Sequence, residues 1–298
     1  MRRYLFILSS KAARGKRLPT EEEIYSSVKS GEVKIVRTSY RGEPTTLARE
    51  FANKYKEDAY IYACGGDGTI NEVLEGIVGT KAKMGALPCG TGNDFLKTIY
   101  PDKSLTDVLL NIDNAVETPL DYIVVNDRYS INVLSVGFDA VVASKVANSP
   151  NALRRWGSFA YMLAVFTSLL ELRGYELECN FVDIDGINHE LNGNFILGTV
   201  ANCIYYGGGF KVAPYASPQD EILNASMIER VSIFKLIRLL LKYKKGEHLN
   251  LDIVHNFNIV SGSIKCKKGL IMANCDGEPF EVERVDFKLG DDKINFMI

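Results

Sequence analysis

The chain has 298 residues, enough for about two domains of ordinary size. Its hydrophobic fraction of 46% and charged fraction of 24% are typical of globular proteins and exclude disordered, collagen-like and disulfide-scaffold classes. A net charge of −2 argues against a protein that neutralises nucleic acid phosphates over a broad surface, so we expect no nucleic acid partner. The six cysteines include no C-x-x-C pair and accompany only three histidines, which argues against a zinc site.

Apolar segments are too short for export or membrane insertion. Only five strongly apolar residues, 4–8, follow Met1-Arg2-Arg3, which is less than a signal-peptide core requires. We therefore predict a cytoplasmic protein with reduced thiols. The longest apolar stretch, residues 157–170, falls short of the ~20 residues of a bilayer span, and we interpret it as a buried helix.

The first 120 residues alternate short apolar runs with helical segments. The first helix begins after Thr20, with Glu23 at the position of a capping box, and a second covers 45–55. The apolar runs of this part are residues 4–8, 33–36, 59–63 and 84–88. This alternation predicts an α/β domain with a parallel sheet.

Beyond Asp121 the sequence is dominated by β-type runs. These runs cover residues 122–125, 129–138 and 175–184, and an Asp185-Gly186 hairpin signal follows the last of them. Helical intervals occur at about 151–173 and 232–245. We predict a β-sandwich domain over 122–286 that carries two helices. The first domain would cover 1–121 and be completed by 287–298, with the final strand returning to it.

Two glycine-rich turns follow the third and fourth apolar runs. Residues 65–69 read Gly-Gly-Asp-Gly-Thr, and residues 90–94 read Gly-Thr-Gly-Asn-Asp. Glycine lets a phosphate approach the backbone, and the N-terminus of the following helix favours an anion. Asp67 in such a loop suggests magnesium bridging nucleotide phosphates; a tight turn with an Asx-type hydrogen bond is the alternative. The G-x-G-x-x-G pattern and the P-loop lysine are missing, which argues against Rossmann dehydrogenases and P-loop enzymes.

The two turns together resemble a known family. GGDGTINEV at 65–73, followed by PCGTGNDF at 88–95, is similar to the catalytic domain of the diacylglycerol kinase and sphingosine kinase superfamily, especially its bacterial lipid kinases. FDA at 138–140, YGGGF at 206–210 and DGE at 276–278 follow in the family's order. NAD kinases share GGDGT but lack the GTGNDF partner.

The resemblance implies that ATP is the phosphate donor and Mg²⁺ the metal cofactor. Part of the nucleotide contacts would come from the turn 9–13, through Ser9, Lys11 and Ala13. The other contacts that the resemblance implies are Thr38, Gly65, Gly66, Asp67, Gly68, Thr69, Ile70, Asn71, Gly90, Thr91 and Asn93.

The resemblance also implies an acid–base and metal arrangement. The carboxylates of Asp67, Asp94 and Asp121 would form a magnesium and water network beside the triphosphate. Glu278 would be the general base, with a solvated carboxylate in a hairpin turn as the alternative. A structural magnesium would use the Asp220 side chain and the main-chain carbonyls of Ser217 and Ile222.

Residues 232–245 combine a helical apolar stripe with basic residues. Between residues 229 and 250 there are six Lys or Arg against two Glu. Two interpretations stay open: an interfacial helix in transient contact with an anionic membrane surface, or a helix packed on the sandwich with a solvated basic face. The stripe consists of Ile233, Leu236, Ile237, Leu240 and Leu241.

These observations favour an ATP- and Mg²⁺-dependent kinase that phosphorylates a hydroxyl of a membrane lipid such as diacylglycerol. It would act as a cytoplasmic protein, peripheral at the inner face of the membrane. One alternative is a soluble-substrate kinase of the NAD kinase type. Another is an inactive relative that senses nucleotide or lipid. This alternative is motivated by segments 9–13 and 219–224, where the sequence departs from the residues usual in the family. The lipid acceptor is open, and a homodimer is compatible with the sequence.

Overall fold

The computed structural model describes residues 1–9, 17–148 and 174–298. Contacts divide the chain into one unit of Met1–Asp121 with Asp291–Ile298, and a second unit of Tyr122–Gly290. The chain returns to the first unit at Asp291 rather than at residue 287, because Arg284–Leu289 is a strand of the second unit's sheet. The expected helix at 151–173, with its apolar stretch 157–170, lies outside the described residues.

The first unit alternates strands and helices, as expected. The capping box of its first helix is confirmed: Glu23 N–H donates to Thr20 Oγ1 and the Glu23 carboxylate accepts Thr20 N–H. One-turn 3₁₀ helices occur at Lys56–Asp58 and Ile112–Asn114. The elements are β1 (Arg3–Ser9), α1 (Glu21–Ser27), β2 (Glu32–Thr38), α2 (Glu43–Tyr55), β3 (Ala59–Gly65), α3 (Asp67–Ile77), β4 (Lys83–Pro88), α4 (Asp94–Ile99), α5 (Leu105–Leu110), β5 (Glu117–Leu120) and, at the end of the chain, β19 (Ile294–Met297).

The sheet of this unit has the strand order β2-β1-β3-β4-β19-β5. All neighbouring pairs are parallel except β19 with β5, which confirms the predicted α/β class with a parallel sheet. Strands β1 and β3 are almost wholly buried, as expected for parallel strands covered by helices on both faces. Because the strands β1 to β4 run in one direction, Ser9, Thr38, Gly65 and Pro88 end at the same edge.

The second unit is mainly antiparallel. Its elements are β6 (Ile123–Val125), β7 (Arg128–Ser130), β8 (Val133–Gly137), α6 (Phe138–Asn148), β9 (Tyr175–Val182), β10 (Asn188–Ala201), β11 (Tyr205–Tyr206), β12 (Phe210–Lys211), β13 (Leu223–Glu229), α7 (Ile233–Lys245), β14 (Val254–Ile259), β15 (Ser261–Cys266), β16 (Ile271–Cys275), β17 (Glu278–Val282) and β18 (Arg284–Leu289).

The long strand β10 joins two layers into a sandwich. Its first half pairs with β9, which continues through β15, β18 and β6 to β7. Its second half lies between β8 and β13, and β16 and β17 extend that layer beyond β8. Side chains of both layers, including Leu134, Phe181 and Phe287, form one buried core. The predicted β-sandwich is thereby confirmed.

Helix α6 was not expected from the sequence. The run 129–138 was expected to be continuous, but it breaks after Ser130, resumes as β8 and ends at Gly137, where α6 begins. The segment FDAVVASKVAN has no Ser, Thr, Asp or Asn before its first residue and carries several β-branched valines. Both features weaken a helix signal, so tertiary packing decides the outcome here.

Helix α7 is confirmed, but its apolar residues do not share one stripe. Leu236, Leu239 and Tyr243 are buried against the sandwich, whereas Ile237 and Leu241 are exposed. The expected grouping of Leu236 with Ile237 and Leu241 is therefore wrong. None of the described helices combines the length and hydropathy needed to cross a bilayer.

Candidate active site

The two glycine turns lie side by side at the carboxyl edge of the parallel sheet. Strands β3 and β4 are neighbours, and Gly65 pairs with Pro88 just before the turns begin. A Cβ on Gly90 would overlap the Cα of Gly66 and lie 2.7 Å from Asn93 Oδ1. The backbones of the two turns therefore touch, and this contact requires glycine.

Asn93 holds the second turn closed. Its backbone is left-handed, with φ 51° and ψ 41°, a conformation that asparagine tolerates better than most residues. Its side-chain oxygen accepts Gly90 N–H at 2.9 Å, and its amide nitrogen donates to Gly90 O at 2.9 Å. Asn93, expected to contact nucleotide, is thus engaged in shaping the turn, while Thr91 is exposed at its tip.

Asp67 and Asp94 begin the two helices that follow the turns, and their carboxylates meet beside Gly92. Asp67 Oδ1 accepts Phe95 N–H at 3.1 Å. A Cβ on Gly92 would lie 3.1 Å from Asp67 Oδ2 and 3.8 Å from Asp94 Oδ2. The second oxygens of both carboxylates therefore face the same glycine.

The electrostatics of this pair are unfavourable in the protein alone. Burial raises the pKa of Asp67 to about 6, and the charge of Asp94 adds to that shift, while the N–H of Phe95 opposes it. Asp94 is buried and forms an ion pair with Lys97 Nζ at 2.7 Å. A carboxylate whose pKa is raised by burial and by a neighbouring carboxylate is a suitable environment for a divalent cation.

The start of α3 offers backbone rather than side-chain contacts. Thr69 N–H and Ile70 N–H donate to Gly66 O, at 2.9 and 3.1 Å. Ile70 lies in the core and Asn71 is buried, whereas Gly68 is exposed. A phosphate at this turn would therefore meet the chain at Gly66 to Gly68.

The other expected nucleotide contacts lie at the same sheet edge where the structure describes them. Ser9 ends β1 and pairs with Thr38, which ends β2. Thr38 is buried, and its hydroxyl donates to Leu8 O at 3.5 Å. Lys11 and Ala13 lie outside the described residues.

Asp121 does not join Asp67 and Asp94. It follows Leu120, which pairs with Ile294 in the antiparallel pair of β5 with β19. Because β19 runs parallel to β4 and begins level with Lys83, Asp121 lies at the amino edge of the sheet, opposite the glycine turns. It is buried there in an ion pair with Lys293. Of the three carboxylates expected in one network, only Asp67 and Asp94 lie together, because the pairing of β19 with β4 and β5 places Asp121 at the other edge of the sheet.

Glu278 follows a two-residue hairpin turn in the second unit. Cys275 pairs with Glu278, and the intervening Asp276 and Gly277 have φ values of 48° and 93°. These angles are those of a type I′ turn, in which glycine at the second position avoids strain. Glu278 is half-buried as the first residue of β17.

Asp276 anchors this turn, a role that the sequence analysis missed. Its carboxylate accepts N–H groups of Ile131 at 2.8 Å, Val133 at 2.9 Å and Asn132 at 3.4 Å. Burial raises its pKa to about 6, and the hydrogen bonds from Val133 and Ile131 oppose that rise. The DGE motif contained the signal, because an aspartate that begins a tight turn beside a candidate base is placed to position it.

A row of buried polar residues runs across one layer of the sandwich, next to the hairpin of β16 and β17. Asn274, Ser135, Thr199 and Ser226 face one another on four neighbouring strands. Tyr206, from the YGGGF segment, contacts Asn274 Nδ2 through its hydroxyl. The YGGGF hairpin is thereby tied to the strand that leads to Glu278.

The expected structural magnesium site has one carboxylate, which closes a turn. Asp220 is exposed, and its Oδ1 accepts Ile222 N–H at 3.0 Å, while Ser217 is half-buried. Across the described residues, no group of three or more His, Cys, Asp or Glu side chains could hold a metal ion. Metal binding at Ser217, Asp220 and Ile222 stays a prediction from the resemblance.

Comparisons with known proteins agree over both units. Residues 3–125 match the family described as "Diacylglycerol kinase catalytic domain", and residues 132–289 match "YegS C-terminal NAD kinase beta sandwich-like domain". A diacylglycerol kinase of Bacillus subtilis is 31% identical over 247 residues, which cover 81% of this chain and 77% of that protein. The chain belongs to the diacylglycerol kinase family.

Further members of the diacylglycerol kinase family extend the match. A probable YegS-like lipid kinase of Chromohalobacter salexigens is 28% identical over 284 residues, 92% of this chain and 86% of that protein. The crystal structure of a diacylglycerol kinase from Bacillus anthracis superposes with a TM-score of 0.70 at 15% identity, covering 99% of this chain and 96% of that one. The family is one of lipid kinases, and the glycine turns and the DGE turn belong to its two matched domains.

Proposed function

We propose that this chain transfers the γ-phosphate of ATP to a hydroxyl of a membrane lipid such as diacylglycerol. In this reaction the acceptor oxygen bonds to the γ-phosphorus and the bond to the β–γ bridging oxygen breaks. ADP leaves, and the hydroxyl proton passes to the carboxylate of Glu278. The contact between the two glycine turns, with Asp67 and Asp94 beside it, carries this proposal.

The glycine turns would hold the triphosphate. Gly66 and Gly90 leave no side chain between two adjacent backbones, and Gly68 is exposed at the start of α3. The N-terminus of this eleven-residue helix favours an anion through its N–H groups. Ser9 and Thr38 would line the same edge beside the nucleotide.

Asp67 and Asp94 would hold magnesium together with the phosphates of ATP. Magnesium in kinases is bound through one or two carboxylates plus phosphate oxygens, rather than by a cage made of protein alone. The two carboxylates fit that role, because their second oxygens face the same glycine and the charge of Asp94 helps to raise the pKa of Asp67. When bound, the metal would offset charge on the reacting phosphates.

Glu278 would act as the general base. Its position after a type I′ turn limits its backbone freedom, and Asp276 ties that turn to residues 131–133. A positioned base that removes the acceptor proton contributes typically about 10²–10⁴-fold to the rate.

The lipid acceptor implies contact with a membrane surface. Relatives named diacylglycerol kinase and lipid kinase support a lipid as the acceptor. Such lipids reside in bilayers, so we propose a peripheral protein at the inner face of the membrane that contacts anionic lipid transiently. A soluble-substrate kinase would have no such requirement.

The test is phosphate transfer from radiolabelled ATP to diacylglycerol in mixed lipid vesicles, with NAD as the competing acceptor. We expect labelled lipid phosphate that requires Mg²⁺. Labelled NAD phosphate would favour the soluble-substrate alternative. ATP binding without any labelled product, from these acceptors or from a cell lipid extract, would favour an inactive relative.

Replacing the base tests its assignment. Glu278→Gln should lower kcat by about 100-fold or more while ATP affinity changes less than about threefold, because Glu278 is not among the proposed nucleotide contacts. Glu281→Gln, an exposed carboxylate three residues along the same strand, is the control and should retain activity. Wild-type turnover in Glu278→Gln would rule out Glu278 as the base.

A further inference from the structure

Helix α7 has two apolar faces, and among the described residues one of them packs on its own unit while the other is exposed. Leu236, Leu239 and Tyr243 point into the sandwich and are buried. On the other side, Phe234 is 78% exposed, Leu241 64% and Ile237 44%. These three residues are spaced three and four apart, so they form one stripe along the outside of the helix.

The position of the stripe follows from helix geometry. At about 100° per residue, Phe234, Ile237 and Leu241 lie within one sector of about 60°, and Leu236, Leu239 and Tyr243 within another. The centres of the two sectors are more than a third of a turn apart. The side of the helix that carries Leu236, Leu239 and Tyr243 is therefore buried, and the side that carries the other three residues is an exposed apolar surface.

Positive charge surrounds this outer stripe. The helix carries five Lys or Arg and no acidic residue. By the same geometry four of the five adjoin one side of the stripe and Lys244 adjoins the other. The basic residues are Lys235, Arg238, Lys242, Lys244 and Lys245, all exposed.

An exposed tyrosine extends the surface at the end of the helix. Gly246 caps α7 with a left-handed backbone, and a Cβ there would lie 2.6 Å from Pro214 Cγ. Tyr215 follows Pro214 in the chain and is strongly exposed. Tyrosine suits the boundary between lipid and water, where its ring is in apolar surroundings and its hydroxyl in water.

We propose that the outer stripe of α7, with its basic residues, docks on the surface of a bilayer that contains anionic phospholipid. Exposed aromatic and aliphatic residues would enter the boundary between headgroups and acyl chains, and the cationic side chains would contact lipid phosphates. This inference rests on the proposed function, because a lipid kinase must reach an acceptor in a membrane.

Charge distinguishes a membrane from a second copy of the chain. Pairing α7 with the α7 of another copy would bring ten cationic side chains together without an acidic residue on either helix. An anionic bilayer complements the same residues. Moreover, each basic residue near an anionic surface is attracted to it, so several of them would act together with the apolar stripe.

The apolar part of the surface is tested by co-sedimentation with vesicles, without ATP. The wild-type chain should bind phosphatidylcholine–phosphatidylglycerol vesicles and bind phosphatidylcholine vesicles at least about tenfold more weakly. Phe234→Ser/Leu241→Ser should weaken binding to the mixed vesicles by about tenfold or more. The control Ile184→Ser/Ile187→Ser removes apolar residues that are 60% and 56% exposed in the same unit, and it should bind like the wild type.

The basic part is tested in the same assay. Lys235→Gln/Arg238→Gln should weaken binding to the mixed vesicles by about tenfold and reduce its salt dependence. Lys265→Gln/Lys268→Gln, an exposed pair elsewhere in the unit, is the matched control. Circular dichroism and unfolding in urea would establish that all variants fold, which is expected because every substituted side chain is exposed.

Outcomes of these experiments separate docking from catalysis. Unchanged vesicle binding in both α7 variants would overturn the docking proposal, as would a dimer that α7 substitution dissociates without any effect on vesicles. Phosphorylation of detergent-dispersed diacylglycerol tests the proposed function independently. The α7 variants should keep that activity, whereas vesicle binding without any phosphorylation would leave docking supported and the proposed function overturned.

Discussion

At the scale of single residues, the charge of the Asp67 carboxylate is unfavourable in its surroundings. Burial and the neighbouring Asp94 raise its pKa to about 6, well above the ordinary value of an aspartate. The folded state therefore binds a proton more tightly than the unfolded chain does. It follows that this group lowers the free energy of unfolding as the pH rises from about 4 through 6.

Asp67→Asn should remove that loss. At pH 8 the variant should be more stable than the wild type by up to about 3 kcal/mol, and at pH 4 the difference should be much smaller. It should also lose Mg²⁺-dependent ATP binding and phosphate transfer. Urea denaturation across this pH range, with Asp102→Asn as an exposed control, checks the prediction. A variant less stable than the wild type at pH 8 would contradict the assigned cause.

At the scale of elements, the hairpin of β16 and β17 is held to the segment before β8 by one buried carboxylate. Asp276 accepts three backbone N–H groups whose donors, Ile131 to Val133, cannot reach water. Buried donors left without an acceptor are costly, so this side chain contributes both stability and the position of the turn. Glu278 lies two residues further along.

Asp276→Ala should lower the free energy of unfolding by about 3 kcal/mol, because two short hydrogen bonds to a charged group are lost. If the fold persists, kcat should fall about tenfold or more, with the KM for ATP nearly unchanged, since the glycine turns are not touched. Asp127→Ala, in the exposed turn between β6 and β7, is the control. Equal stability of the Asp276 and Asp127 variants would show that the anchor is unimportant.

At the scale of the whole molecule, the last strand completes the sheet of the first unit. Beyond β18, the last strand of the sandwich, the chain returns to the first unit, where β19 lies between β4 and β5. Phe296 is fully buried there and meets Phe95 edge to face, with ring centroids 5.4 Å apart. Phe95 N–H in turn binds Asp67, so the end of the chain supports the candidate site.

Phe296→Ala should lower the free energy of unfolding by about 3–5 kcal/mol through loss of buried contacts and a residual cavity. ATP affinity should fall as well, because the support beneath Phe95 and Asp67 is weakened. Unfolding monitored by fluorescence and ATP titration check both effects. Leu110→Ala, on an exposed face of α5, should change stability by less than about 0.5 kcal/mol. Unaltered ATP affinity in a folded Phe296→Ala protein would exclude the link to the site.

Local sequence patterns predicted several features of the first unit. Glycine-rich segments directly after apolar runs predicted turns between strands and helices, and Thr20 with Glu23 predicted the start of a helix, because both depend on near neighbours in the chain. Alternating apolar runs and helical segments predicted the parallel sheet for the same reason. The motif pair of the glycine turns was specific enough to indicate the family.

The sequence by itself therefore determined the fold class, the two glycine turns after neighbouring strands and the family. Only the tertiary structure decided which distant residues meet. The register of β5 with β19 removed Asp121 from the site, the packing of the DGE turn engaged Asp276, and the sandwich divided the apolar residues of α7 into a buried and an exposed face. The reason is physical: propensities and caps act over a few residues, whereas strand register and side-chain burial depend on which surfaces pack together.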